Sequence, residues 1–143
     1  MKIFATLEFK DEFEKLIKNK SYKYLSKEII TNYLDVAFST TLSGTKLNGD
    51  SPNPFIKKRI GGSGGSRLYL LAVVIKEAIY FTFVHPKSGA LGYENINDDK
   101  KTQLLKDVYE SIKTGNVLEV SCCSERKTIL FNIPKPVSVE EIV

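Results

Sequence analysis

Cysteine is nearly absent from this 143-residue chain: there are two, adjacent, Cys122 and Cys123. A disulfide between neighbours in sequence is strained, and a metal site needs more ligands at better spacing, so neither staple is expected. What remains is a pair of reduced cysteines on opposite faces of one strand. Histidine occurs once, at His85. One histidine and scattered acids make no metal-ligand set, and no Ser–His–Asp pattern is legible, so neither metal nor cofactor is expected. Long apolar runs are missing too: none approaches the ~18 to 20 residues that a membrane helix needs. The opening "MKIFATLEFKDEFEK" meets acidic residues too early, after too short an apolar run, for a secretory signal. The expected address is cytoplasmic, with no membrane partner.

What is present fits one domain over residues 1–143, with the tail at 134–143 loosely held. The apolar fraction is 42% and the charged fraction 27%, enough for a single core without staples. The net charge of +4 is unevenly spread. Between Lys57 and Lys87 lie six Lys or Arg residues and one acid, Glu77, so this segment alone carries +5. A local basic surface beside core strands suits a polyanionic partner, nucleic acid first. It equally suits a solvated strand edge that wears lysines against aggregation.

Hydrophobic period places the elements. Residues 2–9 put Ile3, Ala5, Leu7 and Phe9 on one face of a strand. Phe13, Leu16 and Ile17 follow at helical spacing, and a second helix over 21–38 carries Tyr22, Leu25, Ile29, Tyr33 and Val36 or Ala37, with Ser21 as its cap. Residues 39–54, rich in Ser, Thr, Gly, Asn and Pro, read as loop. "FIKKRI", "RLYLLAVVI" and "IYFTFVH" then make an antiparallel meander. A helix follows, capped by Asn97 or Asp98 and stopped at Gly115. The strands "NVLEVSCC" and "KTILFNI" close the chain through a turn at "SERK". The sum is an α+β domain: an N-terminal strand and helical hairpin packed on an antiparallel sheet, with a further helix and C-terminal strands.

The period of two sends Lys57 and Arg59 to one face of their strand and Lys58 to the other, while Arg67 and Tyr69 share a face. A cationic face bearing tyrosine is the kind of surface that holds phosphates and stacks unpaired bases. Gly61, Gly62, Gly64 and Gly65 either make a flexible hairpin or let a nucleic-acid backbone approach closely.

The run "SGTKLNGDSPNPFIKKRI", then "GGSGGSRLYLLAVV", "IYFTFVHPKSG" and "ENINDDKKTQLL", all after a helical hairpin, resembles the RelE/ParE superfamily of bacterial toxin–antitoxin toxins, nearest its HigB- and RelE-like branch. The likeness covers about residues 7 to 105, and "SGGSR" with "HPK" leading to "ENINDDKK" are its most specific pieces. It implies a RelE/ParE-like fold and a toxin held in check by a cognate antitoxin. The implied activity is that of a metal-free endoribonuclease cleaving mRNA, typically on the ribosome. The alternatives are a non-catalytic ParE-like toxin that poisons DNA gyrase, or an inactive homologue that still binds nucleic acid. The matching positions are Lys57 and Arg59 before the glycine loop, Arg67 after it, and His85 and Lys87 at the end of the later strand. Lys58, Tyr69 and Tyr93 are the expected further RNA contacts, and Arg126 and Lys127 are candidates without a motif behind them.

Cutting RNA without metal requires a base for the ribose 2′-OH, cations for the phosphate and an acid for the leaving oxygen; it leaves a 2′,3′-cyclic or 3′-phosphate. Arg59 and Arg67 suit the cationic role, because a guanidinium clamps phosphate through two parallel hydrogen bonds. Histidine titrates near ~6.5 when unperturbed and can act as acid or base. The competing reading of His85 is a strand-end residue before Pro86, held by a backbone bond. Lys57, beside Lys58 and Arg59, is the other candidate for proton transfer.

Overall fold

Thr6 ends the first strand sooner than the alternation of Ile3, Ala5, Leu7 and Phe9 predicts. In the computed structural model, which describes residues 1–61, 65–87 and 95–134, β1 spans Lys2–Ala5 and α1 spans Leu7–Ile17. The Thr6 side-chain oxygen accepts from the Phe9 N–H at 3.2 Å, and Glu8 sits in the first turn, where the helix dipole favours an acid. Leu7 therefore points outward, 46% exposed, while Phe9, Phe13 and Leu16 line the buried side of the helix.

The helical hairpin turns on Asn19, not on Ser21. The Asn19 side chain accepts from the Ser21 N–H at 2.9 Å and opens a 3₁₀ turn at Lys20–Tyr22. The continuous helix expected over 21–38 is broken into α2, Tyr24–Ile29, and one π-helical turn, Ile30–Leu34. Leu25, Ile29 and Tyr33 remain its buried stripe; Ala37 lies beyond it and is exposed. The expected loop at 39–54 is not bare either. It contains most of a 3₁₀ turn, Phe38–Leu42, and a two-residue strand, β2, Thr45–Lys46.

The meander forms as the sequence predicts: β3 (Phe55–Ile60), β4 (Ser66–Val73) and β5 (Ala78–Pro86) pair antiparallel in turn. α3 spans Asp98–Thr114. Asn97 caps it by accepting from the Lys100 N–H, and Gly115 stops it at φ +76°. β6 (Leu118–Cys122) and β7 (Ile129–Asn132) form the closing hairpin.

The sheet has seven strands in the order β2-β3-β4-β5-β1-β6-β7. It is mixed rather than antiparallel throughout, because β1 runs parallel to β5, with Ile3 opposite Ile79. The two helices and three strands between them supply the long crossover that a parallel pair requires. α1 and α2 bury one face against Leu68, Leu70 and Phe81; α3 covers part of the other with Leu104 and Val108 against Phe55, Tyr69 and Tyr80. The molecule is thus a mixed α+β fold with helices on both faces. Among the described residues no helix is long and apolar enough to cross a membrane.

Both cysteines are free thiols. Cys122 ends β6, and Cys123 lies just past it in the turn to β7. A hydrogen bond from the Thr128 side chain, helped by the Thr128 and Lys127 amides at 3.4 and 3.3 Å, brings the Cys123 thiol down to about 7.

Candidate nucleic-acid interface

The register of the meander decides which cations meet. Arg59 on β3 stands opposite Arg67 on β4, and Arg67 opposite His85 on β5, so the three form one row across the sheet. The next row on the same face is Lys57, Tyr69 and Phe83. Alternation puts both rows on the α3 side, in line with Phe55 and Leu71. The period of two anticipates the pairing of Lys57 with Arg59 and of Arg67 with Tyr69. The structure adds that β5 returns to the hairpin end of β3 and β4, bringing His85 beside them.

Burial divides the row. Arg59 is exposed, Arg67 only 4% exposed and His85 2%. Among the described residues no carboxylate lies within ion-pairing distance of Lys57, Lys58, Arg59, Arg67 or Lys87, and no hydrogen bond holds the Arg67 guanidinium. Like charges directly opposite on adjacent strands repel. An arginine pair with no acid beside it among the described residues, and one member nearly buried, is therefore a costly arrangement in the absence of an anion.

His85 is tied at both ring nitrogens. Nδ1 lies 2.8 Å from the Pro86 carbonyl oxygen, which can only accept, so Nδ1 carries the hydrogen. Nε2 then accepts from the Tyr69 hydroxyl at 2.9 Å, and the two rings stack with centroids 5.5 Å apart. Burial lowers the His85 pKa; the Pro86 carbonyl opposes this, and the charges of Arg67 and Lys57 reinforce it. The ring is neutral at pH 7. It holds Tyr69 in place, and its single N–H, at Nδ1, is committed to the Pro86 carbonyl. Tyr69 has no exposed surface, so it presents no ring face on which a base could stack.

No family model matches the chain, and no curated protein matches it.

The remaining candidates separate by position. Lys57 is half-buried and donates from Nζ to the Asn95 side-chain oxygen at 2.7 Å. Lys58 points to the opposite face and donates to the Ser43 hydroxyl. Lys87 is exposed just past β5, its backbone N–H bonded to the Gly65 carbonyl at 2.9 Å. Tyr93, Gly62 and Gly64 lie outside the described residues. Arg126 and Lys127 do not join the row. Their turn belongs to β6 and β7, and β7 stands four strand spacings from β4, about 19 Å along the sheet. Arg126 is instead ion-paired with Asp35.

Two grooves flank Lys57. One, of about 320 Å³, runs along the sheet edge between Gly44 and Thr45 and the three consecutive cations of β3. The other, about 260 Å³, lies between Lys57 and Tyr69 on the sheet and Asn95, Ile96 and Asp98 at the entry to α3. Sequence reasoning missed this second groove. Its one signal was the polar run "ENIN" before the helix, which carries no register of its own.

Proposed function

We propose that this chain binds single-stranded RNA across the Arg59–Arg67–His85 row and, as a RelE/ParE-like toxin, cleaves mRNA on the ribosome. The observation that carries the reading is the arginine pair: two guanidiniums face each other across β3 and β4, and among the described residues no acid neutralises them. A phosphodiester supplies the missing charge and accepts two parallel hydrogen bonds from each guanidinium. The element order supports the likeness as well, since a strand and helical hairpin precede the three-stranded meander and a helix follows. In this reading Arg59 and Arg67 bind the phosphate and meet the charge that grows on it as the 2′-OH attacks. Lys57, at the mouth of both grooves, faces the ribose, and the departing 5′-oxygen takes its proton from solvent water. His85 positions Tyr69 and the row rather than moving a proton. A cognate antitoxin protein would cover this surface.

One observation favours a second reading. His85, the chain's only histidine, is buried and engaged at both nitrogens, which leaves the row well equipped to bind and poorly equipped for proton transfer. A gyrase-poisoning toxin or an inactive nucleic-acid-binding homologue would need no more than that.

Primer-extension mapping of transcripts after a brief pulse of expression separates them. The ribonuclease reading expects growth arrest with new, discrete RNA ends. Arg59→Ala, at an exposed position, should reduce their yield on the order of 10²- to 10³-fold, the usual effect of removing one charge-stabilising donor. Arrest with unchanged RNA ends would leave only the binding reading, and harmless expression of soluble protein would refute both.

A further inference from the structure

We propose that the 260 Å³ groove beside Lys57 is a subsite for one unpaired guanine base. The assignment rests on the RNA reading above, and its test distinguishes the two. The groove is smaller than the ~300 to 1,000 Å³ of pockets that hold drug-sized ligands, so it takes a single ring system rather than a whole nucleotide. Its apolar walls are Leu47 and Ile96, both packed against the α3-side core, with Tyr69 behind them. The two aliphatic side chains, not the buried tyrosine ring, offer apolar contact to a base.

The polar groups set which ring. Lys57 can only donate, so its bond to Asn95 occupies the Asn95 carbonyl oxygen and leaves the amide NH₂ as a pair of donors. Lys101 adds an ammonium donor and sits 3.8 Å from Asp98, too far to consume that carboxylate's acceptor capacity. Asp98 is fully exposed and accepts only. The base that fits must give donors to a carboxylate and an acceptor to an amide or ammonium, side by side. Guanine does this, with N1–H and N2–H₂ toward Asp98 and O6 toward Asn95 or Lys101. Adenine and cytosine place a ring-nitrogen acceptor next to their amino group, where it would face the carboxylate oxygen. Uracil offers one donor only. Lys57 joins the subsite to the phosphate row, since it lines both the base groove and the edge groove.

The test is fluorescence anisotropy of the full chain with labelled, uncleavable 2′-O-methyl oligonucleotides: all-U, and the same sequence with one central G, A or C. A single G should tighten binding roughly tenfold, within the range of a good bidentate base contact. Asp98→Asn should abolish most of that gain while leaving all-U affinity within about twofold, and Asn95→Ala should abolish the gain as well. Equal affinity for all four oligonucleotides, or a guanine preference that survives Asp98→Asn, overturns the subsite and leaves the RNA reading standing. Binding to none of them at low salt removes the RNA reading and the subsite with it.

Discussion

His85 shows how far a residue's surroundings can move it from the chemistry its type suggests. Its imidazole is neutral because it is buried beside Arg67 and Lys57. The consequence for stability has a definite sign. A histidine whose folded-state pKa is lowered contributes stability that is complete above the unfolded value of ~6.5 and is lost as pH falls through that range. The chain has no other histidine, carboxylates begin to titrate only below about pH 5, and the Cys123 thiol, at about 7, contributes only above about pH 6, so the window between pH 5 and 6 reports on His85. Urea midpoints should fall across that window, with a slope no steeper than the one-proton limit of about 1.4 kcal/mol per pH unit. In His85→Gln the slope should vanish. An unchanged slope in the variant would place the proton uptake elsewhere and remove the basis for calling this ring neutral.

The β3–β4 hairpin makes the corresponding argument at the scale of an element. Gly61, which ends β3, has φ +81°, and a Cβ there would stand 2.6 Å from a ring carbon of Tyr24 on α2. Tyr24 cannot easily yield, since its hydroxyl bonds the Ser66 hydroxyl at 2.8 Å, on the other side of the same hairpin. Gly61→Ala should therefore destabilise the fold by roughly 1–3 kcal/mol, through the left-handed backbone and the displaced ring together. Placing Gly61→Ala in a Tyr24→Ala background should recover the ring's share of that loss, a coupling that a double-mutant cycle in urea measures directly. Strict additivity would show that the backbone alone accounts for the effect. Elements such as this hairpin were also the most legible. β3 lies between Pro54 and Gly61, and α3 between Asn97 and Gly115, so punctuation residues mark their bounds. β1 was misread because Thr6, a β-branched residue that also suits a strand, acts as a cap. Its parallel pairing with β5 was illegible, since register between segments more than seventy residues apart leaves no local trace. The same limit hid half of the site. Alternation alone pairs Lys57 with Arg59, but setting His85 opposite Arg67 requires the register of β5, including its irregularity at Tyr69 and Leu70.

Over the whole molecule, α1 and α3 interleave lysines with acids in ion pairs such as Lys10–Glu14 and Lys100–Glu8, whereas the cations of the meander have no such partners among the described residues. Cations gather at the hairpin end of β3 and β4, while Glu8, Asp107 and Glu110 line a groove of about 310 Å³ between α1 and α3. An RNA strand is drawn to the cationic end. The sheet's pleat limits how many cations such a strand can meet at once. Lys57, Arg59 and Arg67 share the α3 side, and Lys58 faces the helical hairpin with its ammonium on Ser43. For single strands the logarithm of affinity falls with the logarithm of salt by ~0.7 per phosphate neutralised, so three contacts give a slope near −2. Arg59→Ala should bring it to about −1.4, and Lys58→Ala should leave it where it was. These slopes are read by titrating uncleavable RNA at several salt concentrations. If Lys58→Ala flattens the dependence as much as Arg59→Ala does, the strand wraps the sheet edge rather than lying on one face. The arginine row would then be one part of a larger collar, and a base seated beside Lys57 would no longer follow from the geometry.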